Sequence, residues 1–145
     1  MTERIVFPDI EKTLVDYLSA ELAALSDTAA VVTRVPDPAP ARMVRVVRDD
    51  RKPRLDREDE QGQRGPHLIL DRPRVQFECT DDSDDAAGLA SVVRAILAGA
   101  SPGYLGAVWC DYIAEAGVEN DTDPATDAPR QVITADLTVR GSVLA

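Results

Sequence analysis

Residues 74–79 alternate strictly: Val75, Phe77 and Cys79 fall on one side, and Arg74, Gln76 and Glu78 on the other. Successive side chains of a strand point to opposite faces, so a period of two demands a sheet with one apolar and one polar side. Residues 131–140 repeat the pattern, with Ile133, Ala135, Leu137 and Val139 set against Val132, Thr134, Asp136 and Thr138. Gly141 then ends the run. Whatever else the chain does, it must cover the apolar side of these strands.

Two helices are available as cover. Ile10, Leu14, Tyr17, Leu18 and Leu22 recur at helical spacing, with Asp9 as an N-cap after Pro8, and predict a helix over residues 9–25. Leu89, Val93, Ile96 and Leu97 give a second apolar stripe. Ser83 or Asp84 is its expected cap, the neighbouring aspartates suit the positive end of its dipole, and Gly99 is its expected stop. Further strands are predicted over residues 29–35, 43–48, 67–70 and 107–116, with turns over 80–85, 101–106 and 119–129. Consecutive strands suggest hairpins. The order predicts an α+β domain over residues 1–145: two layers, a mainly antiparallel sheet flanked by two helices.

Residues 48–66 differ in kind. Acidic and basic side chains alternate densely, and Leu55 is the only large apolar residue. Such a stretch buries too little surface to offset its own chain entropy. It reads as a long loop, either solvated or ordered by a neighbouring subunit.

Aromatics make up 4% of the 145 residues, so the core must be aliphatic. The net charge of −10 argues against non-specific nucleic-acid binding, which rests on many Lys and Arg contacts to phosphate. No run approaches the roughly 20 apolar residues of a membrane span. Residues 1–8 lack the apolar region of a signal peptide. A cytoplasmic product is expected.

The usual chemistries find no foothold. From Asp81, a calcium loop would need Gly at the sixth position and Glu at the twelfth; Ala86 and Val92 stand there. The aspartates of 81–85 therefore read as helix-capping residues, and those of 120–124 as a solvated turn. His67 is the only histidine, at a loop edge, and no Gly-x-Ser-x-Gly elbow accompanies it. The eight glycines form no phosphate-cradling loop. Cys79 and Cys110 form no CxxC pair and read as small buried hydrophobes on strands, with a disulfide between them left open. No catalytic, cofactor or metal residue is assigned. The expectation is a non-enzyme that works by presenting surfaces to other proteins.

Several segments, in order, carry a resemblance: the opening helix with VTRVPDPAP, then RMVRVVR, a charged loop, DRPRVQFECTDDS before an Ala-rich helix, and the closing RQVITADLTVRG. Across residues 4–141 the chain resembles the tail terminator (tail completion) proteins of long-tailed actinobacteriophages. Residues 71–76 and 139–141 are the most specific parts, and the long charged loop is a departure. The resemblance implies a virion protein, assembled in the host cytoplasm, that forms a hexameric ring at the head-proximal end of the tail tube. The ring would stop tube growth, dock a head–tail connector or stopper protein, and let double-stranded DNA pass without specific binding. The alternatives are another neck protein, a head-closure stopper or connector adaptor, or else a small cytosolic enzyme or ligand-binding domain. Residues 78–85 and 111–127 contain no Lys or Arg. They are expected either to line an acidic bore or to be ordinary solvated turns.

Overall fold

The predicted stripes are the ones that bury, except that Tyr17 is half-buried. Helix α1 (Ile10–Ala24) buries Ile10, Leu14, Leu18 and Leu22. The Asp9 carboxylate accepts the Lys12 N–H at 3.2 Å and so satisfies one of the orphan donors of the first turn. Helix α2 (Ala86–Ala100) buries Leu89, Val93, Ile96 and Leu97 and runs one residue past Gly99. The computed structural model describes residues 4–50, 69–124 and 127–143.

The strands are β1 (Ile5–Val6), β2 (Ala30–Val32), β3 (Arg42–Arg48), β4 (Leu70–Asp71), β5 (Arg74–Asp81), β6 (Gly103–Leu105), β7 (Val108–Thr122), β8 (Pro129–Arg140) and β9 (Ser142–Val143). The main sheet has the order β2-β3-β5-β8-β7-β6, with β4 beside β8; β1 and β9 form a separate antiparallel pair. Every pairing in the main sheet is antiparallel except β2 with β3. The fold is α+β, with strands dominant and the sheet curled. Helix α1 lies against β2 and β3 near one end of the strand order and against β6 at the other. Two bulges in β7, after Cys110 and after Glu115, help bend it. Gly117, at φ 118°, takes a backbone conformation at the second bulge that side chains rarely allow.

The alternation of β5 and β8 is realised side chain by side chain. Val44 and Val46 join Val75, Phe77, Cys79, Ile133, Ala135, Leu137 and Val139 in one core cluster. The leucine stripes of both helices belong to the same cluster. Phe77 is its largest fully buried member, as the alternation requires.

Several expectations are corrected. Only residues 30–32 of the segment 29–35 pair, and they run parallel to β3 rather than forming a hairpin with it. The connection between them carries Pro36, Pro38 and Pro40, too long and too stiff for a tight hairpin loop. The segment 101–106 is not merely a turn, since residues 103–105 pair with 108–110. The acidic turn is shorter than expected because β7 extends to Thr122 and β8 begins at Pro129. Charged residues suit an edge strand that faces water. Gly141 interrupts the final strand, but β9 follows it. Of the predicted strand 67–70, Ile69 forms a bridge, its carbonyl accepting the Gly141 N–H at 3.0 Å, and Leu70 is paired, together with Asp71. His67 and residues 51–66 of the charged loop lie outside the described residues.

Candidate functional site

On the side of the sheet away from the core, strand register places charges in rows. Arg45 of β3 is the direct partner of Glu78 on β5, and the two meet at 3.1 Å. Arg130 of β8 reaches the same carboxylate at 3.4 Å and Asp121 of β7 at 2.8 Å. One chain of ion pairs therefore crosses four adjacent strands. A second row holds Arg74 and Asp136, direct partners on β5 and β8, joined by two hydrogen bonds of 2.8 Å. Such forked pairs are the stronger kind of charged hydrogen bond. The Arg130 guanidinium beside Asp121 holds that carboxyl below its ordinary range. This side is not wet throughout, because Met43 and Val132 are each only 6% exposed.

The two ends of β3 are clamped. Arg42 donates twice to Asp27 beyond α1, at 2.9 Å each, to Asp81 at the end of β5 at 2.6 Å, and to Asp85 at the start of α2 at 3.1 Å. One guanidinium thus binds three carboxylates from three segments, a use of the planar donor fork that lysine cannot match. The hydrogen bond from Arg42 lowers the Asp27 pKa. Asp81 is lowered first by the Ser83 N–H and then by Arg42. Asp85 stands at the cap position of α2 but makes no side-chain capping bond, and Asp84 takes a positive φ in the turn before it. Of the aspartates of 81–85, Asp81 and Asp85 therefore serve an arginine clamp, and the cap position falls on Asp85 rather than on Ser83 or Asp84, which corrects the sequence expectation. The clamp also explains Gly88: a β-carbon there would collide with the Asp85 carboxylate.

At the other end of β3, Arg48 holds Asp71 by two hydrogen bonds of 2.9 and 3.2 Å and also binds Asp50. Asp71 is only 1% exposed, so without this partner its charge would be costly. The Arg48 N–H donates to Glu11 in the first turn of α1 at 2.9 Å. Each clamp joins β3 to segments distant in sequence.

Both cysteines are buried and unpaired, on β5 and β7. Burial pushes the Cys79 thiol up to about 12 and the Cys110 thiol up to about 11, so neither supplies a thiolate nucleophile near neutral pH. Among the described residues, no group of three or more His, Cys, Asp or Glu is placed to hold a metal ion. No helix among them is long and apolar enough to cross a membrane. An open groove of about 730 Å³ lies between Phe7, Tyr104, Trp109 and Arg140. Its two charged lining residues are engaged elsewhere, Asp9 by the start of α1 and Arg140 by Asp111 at 2.9 Å.

The sequence marked the polar side of β5 and β8 but not which charge would meet which. The three arginines of RMVRVVR were the available signal: two sit at the strand's ends and become clamps, and the central one enters the ladder. At one end of the sheet Thr80, Asp81, Asp82 and Asp84 of the acidic segment 78–85 share an open cleft with Ala128 and Pro129, which follow the segment 111–127. What this arrangement does is hold shape: its charges neutralise one another across strands. Compared with known proteins, the chain matches no family model and no curated sequence.

Proposed function

We propose that the chain is a structural subunit of a long-tailed phage, a tail terminator whose copies form a ring on the head-proximal end of the tail tube. The observation that carries this reading is a clamped, curled sheet that keeps two strand edges without a strand partner among the described residues. Unpaired edges are a liability for a lone chain and an asset for one built to join others. The resemblance over residues 4–141 supports the same reading. In it, the sheet and its helices make a two-layer wall segment with both helices on one face. One end of the ring stops the tube, and the other meets a connector or stopper protein.

Passage of DNA through such a ring requires weak contact with phosphate. Arg45, Arg48 and Arg74, the candidates for a basic belt, are each paired with a carboxylate. That pairing supports a bore that does not grip. Duplex DNA should show no mobility shift with the isolated protein at physiological salt. A salt-sensitive shift would contradict the low-grip bore.

A reconstruction of the particle that carries this chain tests the assignment. A closed ring of copies between head and tail tube is expected. A single copy at that position, or a particle without the chain, overturns it.

A further inference from the structure

The two edges of the sheet that have no strand partner among the described residues match each other. The strand order ends at β2 on one side. On the other side, β6 covers β7 only at residues 108–110. The Ile113 N–H is taken by the Ser101 hydroxyl at 3.0 Å. Beyond it, residues 114–122 of β7 have a strand neighbour only in β8 among the described residues.

Register sets the height of these edges. Ala30 stands abreast of Met43, Thr80, Arg130 and Asp121, and Val32 abreast of Arg45, Glu78, Val132 and Glu119. The β2 edge and the 119–121 stretch of β7 therefore lie on the same rows, four pairings apart. They also run in opposite directions, because β2 is parallel to β3 and each later neighbour reverses. Facing parity agrees as well: Val31 and Asn120 share one side, Val32 and Glu119 the other.

Charge adds direction. Residues 108–122 carry Asp111, Glu115, Glu119 and Asp121 with no Lys or Arg, and exposed Glu119 has no ion pair among the described residues. Residues 28–36 carry one charge, Arg34, exposed and likewise without an ion pair among the described residues. Arg34 follows β2 by two residues, past a bend, and is the cation that its long side chain can bring toward Glu119 of an adjoining edge.

We infer that successive copies of this chain join head to tail through these edges, β2 of one copy pairing antiparallel with the 119–121 stretch of β7 on the next. The inference rests on the ring reading and names its subunit contact. Edges at equal height add copies without a climb along the strands, which is the condition for a ring to close rather than wind into a filament. The bulge and the acidic side chains of β7 discourage arbitrary strands, and a short edge followed by an arginine answers them.

Val32→Cys and Glu119→Cys in the same full-length chain test the contact, since both native cysteines are fully buried. Mild oxidation at high protein concentration should give a disulfide-linked ladder that ends in a closed species, and neither single variant should give one. Arg34→Glu and Glu119→Arg should each weaken association by about fivefold per interface, read by native mass spectrometry, and their combination should restore it. A ring seen in the particle with no ladder from the double-cysteine chain overturns the edge contact and leaves the ring reading standing. A ladder from a chain that the particle lacks supports the contact and sinks the tail assignment. A chain that stays monomeric and uncrosslinked at every concentration overturns the contact.

Discussion

The two sides of the main sheet are built from the same strands and obey different rules. On the core side, Val44, Phe77, Ile133 and Leu137 are fully buried. On the other side, Arg45, Glu78, Arg130, Asp121, Arg74 and Asp136 pair across strands. Apolar burial is worth about 25 cal/mol per Å² and is nearly indifferent to salt and pH. Ion pairs near a surface contribute about 0–1 kcal/mol each when exposed, somewhat more when half-buried as several of these are, and they are screened by salt. The difference teaches a division of labour: the core side supplies most of the stability and forbids one-residue slips, and the paired charges favour this register over those two residues away.

Phe77→Ala should break the core side most severely. The lost packing and residual cavity should cost about 3–5 kcal/mol, read as a fall in the urea midpoint with an unchanged slope. An effect below about 1 kcal/mol would mean that the site collapses around the gap.

Arg42→Ala comes next. It removes a cation shared by two largely buried carboxylates, Asp27 and Asp81, and by the exposed Asp85, at an expected cost of about 2 kcal/mol after allowance for solvent. The clamp also predicts acid lability. Asp27 and Asp81 have lowered pKa values in the folded chain, so the stability they contribute is fully present above the ordinary carboxylate value near 4. It is lost as the pH falls through the lowered values. Urea midpoints of the wild type should therefore drop below about pH 4, and Arg42→Ala should flatten that dependence.

The polar side should respond less. Arg74→Ala removes a forked pair with Asp136 and should cost about 1 kcal/mol, with added salt narrowing the gap to wild type. The smallest effect belongs to Arg94→Ala, whose partner Glu115 is on β7. No measurable change in midpoint is expected there. A large one would show that the covalently distant contact between α2 and β7 bears on the core.

The legible parts of this fold were those whose signal is local. The leucine stripe of α1, the alternation on β5 and β8 and the cap at Asp9 each occupy a few consecutive residues. The short strands were hidden because pairing, not composition, makes them strands: Gly103–Leu105 exists through Val108–Cys110, and Ile5–Val6 through Ser142–Val143. The Arg42 clamp was beyond sequence reasoning, since its partners lie 15, 39 and 43 residues away. For the same reason the aspartates of 81–85 looked like caps: a local explanation existed, and a distant arginine outbid it. The matched heights of β2 and β7 required four registers at once and had no trace in the chain alone.

The two unpaired thiols carry a consequence for where such a fold endures. Cys79 and Cys110 are fully buried, and their raised pKa values leave almost no thiolate to react with an oxidant or another disulfide. No covalent link among the described residues must form on leaving a cell or survive within one. The same chain should keep the same stability in glutathione-rich cytosol and in aerated medium. That indifference agrees with the proposed role, in which the particle would be assembled under reducing conditions and then exposed to air.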